Sequence, residues 1–289
     1  MSVLLESSTA ARLERLVVLA RRVRPPRRRR FALKQPGRGV EPGSRRDYAP
    51  GDDLRLVDWP AYARLDRLLV KVQEELPEPR LDLLLDASGS MAAGDPPPLE
   101  RAALAAAALA AVAVARDVRV VLWWCGEALG RHELRRPGQL RGLLRFLAVG
   151  RAGGPSALDR GATLATQHLR HPGAALLLSD GLNPELPLAA RRLRARGCEL
   201  RALLVEPELE VPPAVREALA AGGLAELVDA ETGARELRPL GPLALAAART
   251  ERDARLDRAT RELEQAGVTC LRLPPADPFE ATARALLRA

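Results

Sequence analysis

From residue 80 onward the chain alternates short apolar runs with longer amphipathic stretches, and that rhythm restricts it to an α/β fold. Leu81 to Leu85 stops at Asp86, as a buried parallel strand does at its carboxyl end. Pro96-Pro97-Pro98 then introduces an Ala-rich helix from about Leu99 to Arg116. The pattern continues with strands at Val118 to Cys125, Ala174 to Leu178, Glu199 to Val205 and Val268 to Leu273, and a weaker one at Leu224 to Val228 before a turn at Glu231-Thr232-Gly233. Between them lie helices at about Gln139 to Ala148, Leu158 to Leu169, Leu186 to Arg196 and Ala244 to Ala266, with a last one at Phe279 to Leu287. Strands separated by helices pair in parallel, so the expected architecture is a doubly wound, mostly parallel sheet with helices on both faces. Ligands of such sheets sit beyond the carboxyl ends of the strands, where the strand order reverses.

The first 79 residues read differently, as a basic appendage of helix, loop and small subdomain ahead of the α/β domain at 80–289. Leu13, Leu16, Val17, Ala20 and Val23 share one face of a helix over residues 10–23, which Pro25-Pro26 ends. The chain's net charge of +8 belongs here, since residues 1–50 hold 13 Lys/Arg against 4 Asp/Glu and the other 239 hold 32 against 33. Arg27 to Arg30 can contact nucleic acid, acidic lipid or an acidic protein face, or form a solvated loop. No aromatic residue interleaves with these arginines to stack on bases, which argues against nucleic acid. The longest apolar stretch, Leu104 to Ala115, is too short to cross a bilayer, and the N-terminus lacks the order of a signal peptide. Cys125, Cys198 and Cys270 have neither zinc-ligand nor redox spacing and read as small buried side chains. These features point to a cytoplasmic protein without a membrane span.

The chemistry concentrates in three loops. Asp86-Ala87-Ser88-Gly89-Ser90 follows directly on a buried strand, and random placement of 15 Asp and 8 Ser in 289 residues would almost never produce it. Gly153-Gly154-Pro155-Ser156 precedes a helix, and Ser179-Asp180-Gly181 ends a strand. Taken singly, Ser156 reads as a helix N-cap and Asp180 as a turn residue. Converging at one sheet edge, they offer a hard divalent cation, Mg²⁺ or Mn²⁺, the oxygens it requires. Ser88, Ser90 and Ser156 supply neutral hydroxyls, while Asp86 and Asp180 act through water or hold the hydroxyls in place. An ion ligated by neutral groups keeps much of its charge and favours a carboxylate from a partner protein. A metal-assisted hydrolase and a basic nucleic-acid binder remain the competing functions, but the motifs place no His, Cys or Lys as an obvious base or nucleophile.

Asp86, Ser88, Ser90 and Asp180 resemble, residue by residue, the metal-ion-dependent adhesion site of von Willebrand factor A domains. Ser156 stands where that family has Thr, keeping the hydroxyl and losing the methyl that stiffens χ1. Upstream, Arg46-Asp47-Tyr48, Gly51-Asp52, Arg55, Val57 and Asp58-Trp59, followed by Ala63-Arg64, Leu69-Val70-Lys71 and Glu74-Glu75, are similar to the signature of the bacterial family called domain of unknown function 58. That resemblance implies a protein-interaction module working with an AAA+ ATPase of the MoxR type in assembling or activating other complexes. Read from the residues alone, the same segment is structural: Tyr48 and Trp59 anchor apolar contacts while Asp52, Asp58 and Arg55 pair locally.

Overall fold

The computed structural model describes residues 7–22, 45–71, 78–169, 171–207, 217, 221–241 and 243–274. The Arg27–Arg30 run, Glu74-Glu75 and the helix expected over 279–287 lie outside them. Contacts divide the chain into a large unit, residues 1–23 with 80–289, and a small one, residues 24–79.

The large unit is built on a six-stranded sheet. Strands β3 (Arg80–Asp86), β4 (Arg119–Cys125), β5 (Leu129–Leu134), β6 (Ala174–Ser179), β7 (Glu199–Val205) and β10 (Thr269–Leu273) stand in the order β10-β7-β6-β3-β4-β5. Every neighbouring pair is parallel except β4 with β5. The chain moves outward from β3 to β4 and β5, then returns to the other side of β3 as β6. The strand order therefore reverses between β3 and β6. The doubly wound, mostly parallel α/β sheet expected from the sequence is present.

Side-chain alternation explains the two layers of helices. Leu83 and Leu85, with Val120, Leu122 and Trp124, face one cluster; Leu84, with Val121, Trp123 and Cys125, faces the other. Helices α1 (Ser7–Arg22), α3 (Pro98–Val114) and α4 (Leu140–Val149) cover the first face. On the second lie α5 (Leu158–Gln167), α6 (Leu186–Ala195) and α7 (Ala244–Gln265). Helix α3 is buried almost all round because α1, through Leu13 and Val17, packs on its outer side. So α1 joins the large unit by its contacts, whereas the sequence groups it with the basic appendage. Among the described residues no helix is long and apolar enough to cross a membrane. Cys125 and Cys198 are buried free thiols, as expected, and Cys270 is half-buried.

Close approach of α5 to β4 depends on Gly161. A Cβ there would stand 2.4 Å from the Cys125 Sγ, inside the second core cluster. Gly161→Ala is expected to cost about 1–3 kcal/mol by overpacking. Adding Cys125→Ala should recover most of the loss, and urea titrations giving strictly additive losses would refute that contact as the cause.

In the small unit, β1 (Arg45–Asp47) pairs antiparallel with β2 (Leu69–Lys71), and α2 (Trp59–Leu65) lies between them in sequence. Asp58 caps α2 by accepting the Ala61 N–H at 3.2 Å, and the Arg45 Nε reaches its other oxygen at 2.7 Å. Asp52 accepts both Nη groups of Arg46, at 2.6 and 2.5 Å, and the Ala49 N–H at 2.8 Å. Local pairing is thus real, but its cations are Arg45 and Arg46 rather than the expected Arg55. Trp59 also departs from expectation. At the first turn of α2 it is 55% exposed, with the Tyr62 ring edge-on to it, 6.3 Å between centroids.

Candidate metal centre

The site lies where the strand order reverses, at the carboxyl ends of β3 and β6. Asp86 is the last residue of β3 and is fully buried. Its Oδ1 accepts the Ser88 N–H at 3.1 Å and the Ser156 hydroxyl at 3.5 Å. Its Oδ2 accepts the Ser179 hydroxyl at 2.8 Å and the Asn183 amide at 2.7 Å. One carboxylate thereby gathers three separate loops, which is how the end of the strand acquires a fixed shape.

Each loop is further tied. Ser88 and Ser90 hold their hydroxyl oxygens 3.2 Å apart on a short 3₁₀ turn, Gly89–Ala92. The first and second loops are joined through backbone, Gly153 N–H to Ala87 O at 3.1 Å and Gly89 N–H to Gly154 O at 3.0 Å. Gly154 takes φ +65°, a conformation open to glycine at little cost. Ser156 accepts the Leu158 N–H at 3.1 Å and the Asn183 amide at 2.5 Å. It stands one residue before the N-cap of α5, Ala157, so the cap expected here from the sequence is displaced by one residue, and the Ser156 hydroxyl meets the first N–H of the helix while belonging to the cluster. In the third loop the Asp180 Oδ1 accepts the Leu182 N–H at 2.9 Å.

The other oxygen of Asp180 is the anomaly. Asp180 is wholly buried, yet its Oδ2 has no hydrogen-bond partner among the described residues. Burial, and secondarily the charge of Asp86, push its carboxyl up to about 6; the Leu182 N–H and the nearby Ser90 and Ser179 hydroxyls act the other way. A buried acceptor with nothing to accept is costly unless something else fills the role. The cluster offers the oxygens of two carboxylates and of four hydroxyls, those of Ser88, Ser90, Ser156 and Ser179, which is the chemistry that hard divalent cations take, and the Asn183 side-chain nitrogen binds among them. Among the described residues no group of three or more His, Cys, Asp or Glu is placed to hold an ion, so any cation here would depend on the hydroxyls.

All five residues singled out in the sequence, Asp86, Ser88, Ser90, Ser156 and Asp180, thus belong to one connected cluster. Sequence reasoning missed Asn183, which bridges Asp86 and Ser156. Its signal was available, because it is the single asparagine in 289 residues and lies three positions beyond Asp180. Its Oδ1 accepts the Glu185 N–H at 2.8 Å, and the Glu185 carboxylate accepts the Asp159 N–H at 3.0 Å, so the chain of bonds runs on into α5 and α6.

The family model described as "Protein of unknown function DUF58" matches residues 44–240. None of the curated proteins matches the chain. Among solved structures, the chain is similar to the conserved hypothetical protein BatB from Bacteroides thetaiotaomicron, with 15% identity over 73% of this chain and 98% of that one and a TM-score of 0.41. An aerotolerance-related membrane protein from Bacteroides fragilis NCTC 9343 gives 15% identity, 73% and 97% coverage and a TM-score of 0.42. An uncharacterized membrane spanning protein from Vibrio fischeri gives 16% identity, 72% and 98% coverage and a TM-score of 0.24.

Proposed function

The chain belongs to the DUF58 family, and from that premise we propose that its large unit is a von Willebrand factor A-like module that grips a partner protein through a bound cation. In this reading Ser88, Ser90 and Ser156 ligate Mg²⁺ or Mn²⁺, while Asp86 and Asp180 orient the hydroxyls or reach the ion through water. The observation that carries it is the convergence of three loops on Asp86 beside an unpartnered, buried Asp180 Oδ2. A cation held mainly by neutral oxygens stays electrophilic, so the ligand completing its shell is a carboxylate of the partner. The partner proposed is an AAA+ ATPase of the MoxR type, and the shared task is assembly or activation of other complexes in the cytoplasm. The resemblance to the family, rather than the geometry of the site, supports that partner.

Calorimetry with Mn²⁺ is expected to give a saturable isotherm for the wild type and at least a tenfold weaker one for Asp86→Ala, in the range of about 10–100-fold seen when groups orienting metal ligands are lost. Identical isotherms, or none from either protein, would remove the metal from the account. A pull-down from native extract with and without a chelator then tests the partner. Capture of the same ATPase in both would show an association that needs no cation.

A further inference from the structure

Gly89, between the two serines of the first loop, is pressed by backbone from a distant part of the chain. A Cβ on Gly89 would stand 1.8 Å from the Ala230 carbonyl oxygen and 3.0 Å from the Glu231 nitrogen. Those two residues form the tip of an antiparallel hairpin, β8 (Gly223–Val228) with β9 (Arg235–Leu240). The tip is stiff. Asp229 accepts the N–H groups of Glu231 and Thr232, at 3.0 and 2.7 Å, and the Thr232 hydroxyl at 2.9 Å. Its flanks leave Leu224 and Leu237 exposed, so the described contact that fixes its end is the one against the first loop.

This contact places Glu231 among charges of its own sign. Burial first, then the charges of Asp86, Asp180, Asp229 and Glu185, push its carboxyl above the usual range. Among the described residues Glu231 has no ion pair. A half-buried acid amid other acids is unfavourable unless a cation joins them. The separate observation that points to a cation is the Asp180 Oδ2, fully buried and without a partner in the same cluster.

We infer that Glu231 is the chain's own carboxylate ligand for the cation of the three loops, held at the position that a partner's acid would take. The inference rests on the metal reading above. Among the described residues the carboxylates are not gathered as a cage of three, so ligation by Glu231 requires its side chain to swing toward the ion, for which it has three rotatable bonds. Occupied by Glu231, the module is self-capped, and an external acid binds only by displacing the hairpin tip. The glycine at position 89 is then required by the docking, since any side chain would meet the Ala230 carbonyl.

Mn²⁺ serves as the probe, with the full-length chain, in wild type and Glu231→Gln. Calorimetry should show affinity falling about tenfold in the variant. Water-proton relaxation should show more water on the Mn²⁺ of the variant, and acetate should displace that water in Glu231→Gln but not in the wild type. The hydration readout separates ligation from the mere loss of a nearby charge. Equal affinity, hydration and acetate response in the two proteins would overturn the inference and leave the metal site standing. No Mn²⁺ binding by either would overturn both.

Discussion

Asp82→Ala is expected to lower the unfolding free energy by about 3–5 kcal/mol, the usual cost of leaving one half of a buried ion pair behind. Asp82 lies in the middle strand β3 with 1% of its surface exposed. The Arg80 guanidinium binds it through two parallel contacts, Nε to Oδ2 at 2.8 Å and Nη2 to Oδ1 at 2.7 Å. The Trp123 indole N–H donates to the same Oδ1 at 2.8 Å from β4, and the Arg80 Nη1 donates to the His168 carbonyl at 2.8 Å. Removing the carboxylate strands a buried cation and a buried indole donor together. Since whole domains are stable by only about 5–15 kcal/mol, the variant should lose a large share of its margin. Urea titration followed by far-ultraviolet circular dichroism measures it. The comparison that isolates the cause is Arg80→Met with Asp82→Leu, which removes both charges and should cost far less than Asp82→Ala alone. A single-variant loss under about 1 kcal/mol would show that the pair contributes no more than a surface bridge does.

That network also marks where the sequence was opaque. Leu81 to Leu85 reads as an apolar run, and the acid within it looks like an interruption; only the strand register, which sets Arg80 and Asp82 on one face with Trp123 beside them, turns it into a buried pair. The same limit hid β5. Leu-Gly-Arg-His-Glu-Leu at 129–134 has no apolar run, because an antiparallel edge strand is half-exposed and carries ions such as Glu133, bound by Arg119 and Arg135. Strands buried on both faces, β3, β4, β6 and β7, were legible because burial forces a continuous apolar run. The core loops of the site were legible for another reason: Ser is rare here, and its clustering beside Asp stood out. Asn183 is marked only by its rarity and its place three positions beyond Asp180, while its bond to Ser156 spans 27 residues. Glu231 has no local signal, since it acts through a hairpin contact about 140 residues from Gly89.

The second large effect is a reversal. In metal-free protein Asp180→Asn should be more stable than the wild type near neutral pH, and less stable than the wild type once a divalent cation is supplied. The buried Asp180 carboxyl is raised from 3.8 to about 6, because ionising it in that cluster is unfavourable. The sign follows from linkage. A group whose folded pKa lies above its unfolded one binds its proton more tightly when folded, so its stabilisation is complete below the unfolded value and is lost as pH rises through about 6. Between about pH 5 and pH 7.5 the metal-stripped wild type should therefore lose roughly 1.4 kcal/mol through this group, the remainder of the ~3 kcal/mol that the full shift represents being lost already below about pH 5. Glu231, also raised, adds in the same direction, while Glu133, held at about 2 by its arginines, contributes no slope in that window. Asp180→Asn abolishes the Asp180 share of the slope, since an amide has no proton to release. A cation changes the order because it favours the ionised carboxylate: at a hundred times its Kd it stabilises the wild type by about 2.7 kcal/mol, and the variant, with a weaker ligand set, gains less. Thermal melts with chelator and with saturating Mg²⁺, at both ends of the pH range, measure all four quantities. A wild type whose chelated melting point is flat across that range would mean that Asp180 is not a strained acid, and a variant that gains as much from Mg²⁺ as the wild type does would mean that Asp180 is no part of a cation site.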